Sequence, residues 1–573
     1  MISLRQDALL LSLKPFDALR LIPEARDKAT WSSVERSWAG QVTVRAAQAL
    51  AYVPPAAQAS DYLRFLREGS GPWLEAWTGA RERLKALALG ACVQGSPALI
   101  QGVADQLYAL CEISDWALRQ PQPDYPDFTH GCVDVDACET GALLAVTAKL
   151  LGEELDALSP RIAARVRRAL DRRLMEPLIN HDPQVWLLAP EDAPRAAAAL
   201  MTVALLMERD DRRRWLALRR ILKLLEGYLK DRPADGGFDG GLEAHLTQAM
   251  AVNDCFSMLS VASGGEVELR DEPLFVAMAG SFVSCHIAGN LFLNPGGSMA
   301  PRLSPDLLFR LGESARVSAL CGLAAWLRRG LQDEAAPPFS QPTEPLLQQV
   351  MNALGRDDLM KQAARSPVPE WVELPQSGLL AGRMDGFYAA LTGPAGQAAG
   401  DIVLFYGDRP LIIGLPQAPS TPLVNGQDQR SSPGAQDVAH SGGPGWHMLS
   451  MNLACAYPPA AQLVSWQRTW MLAPSEGGLR LMDVFDLDAP GQVAFRFITP
   501  SMPRVQSGGA LLAEDRVWME FDPGLAAQVD WVTVPPNQRH LWGERVFRLT
   551  LTTPQALPGG NYDFLFRPWA GGV

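Results

Sequence analysis

The sequence predicts two parts of different class: helices stacked as antiparallel pairs over residues 1–365, then an antiparallel β-sandwich over residues 366–573. Three observations carry that reading. Apolar residues recur at steps of three and four up to about residue 365 and alternate with polar ones beyond it. Prolines cluster where the period changes, in "EAAPPFSQPTEP" (Glu334–Pro345) and "SPVPEWVELPQSG" (Ser366–Gly378). A chain of 573 residues also exceeds what one core fills, so two or three domains are expected.

The helical part is clearest in "SPRIAARVRRALDRRLMEPLI". Ser159 fits an N-cap and Pro160 the first helical position. Ile162, Val166, Ala169, Leu170 and Leu174 then form one apolar face, while Arg161, Arg165, Arg168 and Arg172 line a solvated one. Leu218, Leu222, Leu225 and Leu229 repeat the pattern until Pro233 ends the run. Short Gly/Pro turns join such helices without a strict sequence repeat, which argues against a consensus solenoid.

The strands come next. "DIVLFYGDRPLIIGLP", "SWQRTWMLAP", "LRLMDVFDLDAP", "QVAFRFITP", "RVWMEFDP" and "RVFRLTLTTP" alternate, are rich in β-branched and aromatic residues, and end at turn residues. No helical pattern separates them, as a sandwich requires. Residues 417–445 read as a long polar loop.

Composition narrows the function. With 51 Lys+Arg against 63 Asp+Glu the formal net charge is −12, which disfavours a dedicated nucleic-acid binder. No apolar run approaches the roughly 18 residues of a membrane helix, and the N-terminus lacks a basic region and a cleavage site, so a cytoplasmic location is expected. The eight cysteines, Cys92, Cys111, Cys132, Cys138, Cys255, Cys285, Cys321 and Cys455, form no CxxC pair and read as buried reduced thiols. There is no phosphate loop, HExxH or GxSxG element, and no cofactor is expected. His440 and His447 lack carboxylate or cysteine partners at ligand spacing, so no metal site is assigned to them.

Eight segments in order from about residue 90 to 550 carry a more specific signal. They are "LCEISDW" (Leu110–Trp116), "ETGALLAVTAKLLGEELDALSPRI" (Glu139–Ile162), "DGGFDGG" (Asp235–Gly241) and "DEPLFVAMAGSFVSCHIAGNLFLN" (Asp271–Asn294). "DIVLFYGDRPLII" (Asp401–Ile413), "PLVNGQDQ" (Pro422–Gln429), "AYPPAAQLVSWQRT" (Ala456–Thr469) and "WGERVFRL" (Trp542–Leu549) follow. In these the chain resembles the heparinase II/III-like polysaccharide lyases. The resemblance implies an incomplete (α/α) toroid followed by an antiparallel β-sandwich. It also implies β-elimination on a uronic acid, in which the C5 proton leaves beside a carboxylate. Such chemistry needs a neutraliser for the second negative charge, and a base and acid near C5 and the 4-oxygen.

The family's chemistry is not matched by this chain's residues. Against the family's Asp-Gly-Gly-Cys-Asp-Glu-Gly-Pro-x-Tyr-Trp, the chain keeps Asp235, Gly236, Gly237, Asp239 and Gly241. It has Gly240 for Glu, Leu242 for Pro, Ala244 for the acid/base Tyr, and His245 for Trp. An alanine cannot transfer a proton. The neutralising asparagine should fall in "VWLLAPEDAPRAA" (Val185–Ala197), which has none, and the histidine-rich loop corresponds to the histidine-free "TGPAGQAAGDIVLFY" (Thr392–Tyr406). Gly414 replaces the aspartate that is a metal ligand in some members, and Pro419 an expected histidine.

Replacement catalytic candidates are His245, His286, Asp239 and Glu243, all in segments that the resemblance places near the toroid's cleft. Each has a plainer use: Asp239 as a helix cap, His245 as filler for the lost tryptophan, His286 as a hydrogen-bonded core residue. Trp116, Trp186, Tyr406 and Asn294 are the substrate-binding candidates. The expectation is a degenerate lyase that binds an acidic or neutral oligosaccharide. Its alternatives are a divergent active uronate lyase and an oligomeric scaffold without a small ligand. Neither the sugar nor the oligomeric state is set by the sequence.

Overall fold

The computed structural model describes residues 12–569 except 53–57, 114, 119–131, 181–185, 239–240, 295–298, 301–302, 331–343, 366–368, 375–378, 393–397, 416, 431–433, 444 and 474–477. The chain forms two compact units. The first comprises residues 1–232, 246–276 and 304–365, and the second 233–245, 277–303 and 366–573. The second unit thus takes two segments from the part read as wholly helical.

The first unit is an array of packed helices. Arg36–Ala51 packs on Pro72–Gln94, and Val135–Leu150 packs on Ala193–Met207, which in turn packs on Asp211–Lys230. Val135–Leu150 and Ala193–Met207 are buried on nearly every side, so their sequences read as continuous apolar runs. Pro160–Leu170 starts as its sequence predicts: Ser159 accepts from Arg161 N and Pro160 holds the first position. Val166, Ala169, Leu170 and Leu174 are buried, while Arg161, Arg165, Arg168 and Arg172 are exposed. Leu218, Leu222, Leu225 and Leu229 form the buried stripe of Asp211–Lys230.

The second unit is built of antiparallel sheets. A five-stranded meander runs in chain order from Trp371–Leu374 to Arg409–Ile412. An eight-stranded sheet has the order Gln436–Gly443, Trp446–Asn452, Leu463–Ala473, Gly478–Gly491, Leu557–Pro568, Val517–Glu520, Gly509–Leu512 and Arg504–Gln506. A four-stranded sheet has the order Ala526–Thr533, Arg545–Thr552, Val493–Thr499 and Leu423–Val424. Alternation sends Trp466, Trp470, Phe485 and Phe495 into a common core. Arg468 and Asp483 share that inward side as directly opposed residues. The guanidinium grips the carboxylate with two bonds of 2.8 and 2.7 Å, and Trp466 Nε1 donates to the same carboxylate at 2.8 Å.

Two sequence expectations are corrected here. The "loop" 417–445 contains two strands, Leu423–Val424 and Gln436–Gly443, the latter an edge of the eight-stranded sheet. This edge strand is mostly exposed, so it carries little of the alternation that marks a strand. The run after Pro273–Cys285 is not helical but forms three short strands, His286–Ala288, Leu291–Leu293 and Met299–Ala300.

Candidate functional site

The turn before Leu242–Ala262 is built tightly. Asp235 Oδ1 accepts from Gly237 N at 2.9 Å, an Asx-turn, and Gly236 N donates to the Pro233 carbonyl at 3.1 Å. Gly236 has φ +75°, and a Cβ there would lie 2.2 Å from the Ala277 carbonyl carbon, so conformation and space both demand glycine. Asn294 Oδ1 accepts from Leu242 N at 2.8 Å and so closes the N-terminus of the helix from outside. Asp239 lies outside the described residues. Glu243 and Ala244 are exposed on the first turn.

His245 points inward. Its ring stacks on Phe238 at 4.3 Å and on Phe282 at 4.9 Å, and Nε2 is 3.0 Å from Ser281 Oγ. That hydroxyl donates to the Met278 carbonyl at 2.8 Å, so the imidazole supplies the proton in the His245–Ser281 bond. His286, also buried, donates from Nε2 to the Gly289 carbonyl at 3.0 Å and meets Phe292 edge-on. Burial, the Gly289 carbonyl opposing it, holds its pKa down at about 4, so the ring is neutral near pH 7. Arg383 donates to the backbone carbonyls of both His286 and Ile287.

The binding candidates are divided between the two units, Trp116 and Trp186 in the first and Tyr406 and Asn294 in the second. Trp116 is only 1% exposed, donates to the Leu110 carbonyl at 2.9 Å and carries Arg173 over its ring. Trp186 is half-buried in the first unit, beside Val133. Tyr406 lies in the second unit, against Phe387 at 4.8 Å. His245, His286, Glu243 and Asn294 also belong to the second unit.

The first unit holds a cavity of about 270 Å³ whose polar lining the sequence reading passed over. Pro72–Gln94 contributes Arg81 and Lys85, Val135–Leu150 contributes Glu139, and Ala193–Met207 contributes Arg195 and Thr202. Asp254, Glu344 and Gln348 complete the polar lining together with Thr247. Most of its charges are in ion pairs. Glu139 takes Arg81 at 3.1 Å and Arg195 at 2.6 Å, while Asp254 takes Arg310 and, at 2.8 Å, Gln348 Nε2. Burial pushes the Asp254 carboxyl up and the Lys85 ammonium down, and Glu82 at 2.7 Å opposes the shift at Lys85. Such a lining offers several fixed donors and acceptors in a small space. The signal in the sequence was an ionisable residue inside an apolar helical run: Glu139 in "ACETGALLAV", Arg195 in "APRAAAALMTV", Asp254 in "AVNDCFSML".

No protein-family model matches the sequence, nor does any curated protein. Solved structures do match. Heparinase III superposes with a TM-score of 0.63 at 12% identity, covering 99% of this chain and 90% of that one. A second heparinase III gene product gives 0.61 at 10% identity, with 98% and 88% covered. The heparan sulfate lyase of Pedobacter heparinus gives 0.56 at 13%, with 100% and 94% covered. The chain therefore has the fold of the heparinase-like polysaccharide lyases, a helical toroid followed by an antiparallel β-sandwich. Among the described residues no helix is long and apolar enough to cross a membrane.

Proposed function

We propose that this lyase-fold protein binds a short oligosaccharide and has lost β-elimination. One observation carries the reading: Ala244 stands where the family's acid/base tyrosine is expected, and the adjacent His245 is stacked between two phenylalanines and bonded to Ser281. A base must reach the proton it removes. The second histidine is no better placed, being buried, neutral near pH 7 and bonded to Gly289.

The cavity in the first unit supports a binding role. Its three cationic and three anionic lining residues, Arg81, Lys85, Arg195, Glu139, Asp254 and Glu344, balance. That balance favours neutral sugars over polyuronides, which would have to break the pairs around Glu139 to reach a cation. The volume of about 270 Å³ lies just below the roughly 300–1,000 Å³ usual for small-molecule sites, which restricts it to a short sugar.

The test pairs a turnover assay with a binding assay. Concentrated protein is incubated with uronate polysaccharides and the absorbance of unsaturated product is followed, with His245→Ala and His286→Ala in parallel. Thermal shifts are then read with neutral and acidic oligosaccharides. A flat absorbance trace with a shift that Arg195→Ala removes is the expected result. Product lost in either histidine variant would establish a divergent lyase instead. No shift with any sugar would leave a scaffold.

A further inference from the structure

The hairpin formed by Gln436–Gly443 and Trp446–Asn452 carries two histidines whose spacing in sequence conceals their spacing in the sheet. Gly442 is paired with His447, and His440 with Leu449. His440 and Gly442 are two residues apart and share a face, so His440 and His447 are diagonal neighbours on that face. The residue directly opposite His447 is a glycine, and the space a side chain would fill lies between the rings.

The geometry there converges. A Cβ added at Gly442 would lie 2.7 Å from His447 Nδ1, 3.1 Å from His440 Nε2 and 3.1 Å from the Trp446 carbonyl oxygen. Both of those ring nitrogens are buried and have no hydrogen-bond partner among the described residues. Buried imidazole nitrogens are ordinarily satisfied, so a converging pair needs a reason. Trp371 fixes the rings: it stacks on His440 at 3.8 Å and on His447 at 5.0 Å, both nearly parallel. The backbone of Gly442 is exposed, which gives the point between the rings a route to solvent.

We propose that His440 and His447 hold one divalent first-row transition-metal ion of the imidazole-binding class (Cu²⁺, Ni²⁺ or Zn²⁺), with the Trp446 carbonyl oxygen and water completing its shell. Metal–imidazole bonds are about 2.0–2.1 Å, so the ion lies between the two nitrogens and farther out than the Cβ point, clear of Gly442 Cα, and both rings turn to meet it. No group of three or more His, Cys, Asp or Glu side chains suited to a metal exists among the described residues, which makes this a two-imidazole site rather than a closed cage. Carboxylate and cysteine spacing in the sequence could not reveal it, because the third donor is a main-chain oxygen. The ion clips the edge hairpin of the eight-stranded sheet, where pairing is otherwise one-sided.

The experiment uses the full chain without a histidine tag, stripped with chelator and dialysed against Cu²⁺, Ni²⁺ or Zn²⁺ in turn. Bound metal is counted by elemental analysis, and the copper form is examined by electron paramagnetic resonance. Wild type should take up one equivalent with the splitting of two nitrogen ligands. His440→Gln and His447→Gln should each weaken binding at least a hundredfold. Gly442→Ala keeps both rings but fills the cradle, so it should weaken binding comparably while circular dichroism stays unchanged. Binding by the double histidine variant equal to wild type would overturn the site, as would wild-type affinity in Gly442→Ala or less than one equivalent bound by wild type.

Discussion

Gly236 illustrates how much a single residue can be asked to do. Its φ of +75° is costly for any residue with a Cβ, and the Cβ itself would meet the Ala277 peptide at 2.2–2.5 Å. Gly236→Ala should therefore destabilise the protein by about 2–5 kcal/mol, read as a lower urea midpoint with an unchanged slope. Gly227→Ala, at a helical glycine where a Cβ would meet nothing within 4 Å, should cost nothing, and an equal loss there would refute the explanation. The "DGG" turn was legible in the sequence because Asp and Gly are the residues such turns demand. The role of Asn294 was not. Its amide oxygen reaches Leu242 N across 52 residues, and no local pattern records a cap delivered from outside the helix. The short strands after Cys285 were partly visible in hindsight: "IAGNLFL" sets Gly-Asn between apolar runs, a hairpin signal masked by the helical run before it.

At the level of strands, the opposed pair Arg468 and Asp483 ties Leu463–Ala473 to Gly478–Gly491 within an apolar core. Arg468 also donates to the carbonyls of Gly400, at 2.9 Å, and Ser420, at 3.3 Å, so one guanidinium gathers three segments. Removing its partner leaves a buried cation, and Asp483→Ala should cost about 3–5 kcal/mol of stability by denaturant unfolding. Replacing both residues with apolar ones should cost less than the single change; a larger loss in the double variant would show the charge pair itself to be the main stabiliser. Strands with clean alternation, such as "SWQRTWMLAP" and "LRLMDVFDLDAP", were legible from the sequence even though each carries one inward charge. Gln436–Gly443 was missed because its residues are Gln, Asp, Ser and Gly with few apolar positions, the composition of an edge rather than of a core strand.

Across the whole chain, two buried groups of the second unit pull its pH dependence in opposite directions. His286 has its pKa lowered from 6.5 to about 4, so the unfolded chain binds the proton more readily, and its contribution to stability falls as pH drops from about 6.5 to 4. Asp401 accepts from Ser420 N and Ile402 N, yet burial pushes its carboxyl up from 3.8 to about 7. The folded state then holds that proton more tightly, and the contribution of Asp401 falls as pH rises from about 4 to 7. His286→Gln should therefore flatten the acid side of the stability curve and Asp401→Asn the neutral side. Difference curves against wild type with the opposite signs would show the burial argument to be mistaken. The helix-to-sandwich order was legible in the change of period near residue 365, while the assignment of 233–245 and 277–303 to the second unit depends on pairings that lie far apart in the chain.

The cysteines lead to a practical consequence. Cys92, Cys111, Cys138, Cys255, Cys285 and Cys321 are buried, and burial raises the pKa of each thiol, to about 12 for Cys285 and Cys321. Reactivity toward maleimides follows the accessible thiolate, so those six should stay silent while the native state holds. Cys455 is exposed and Cys132 half-buried. Peptide mapping by mass spectrometry after brief labelling should find Cys455 modified first, and labelling of any of the six would mark local opening. The native molecule thus carries its own attachment point for a fluorophore, with six internal reporters that speak only when it unfolds.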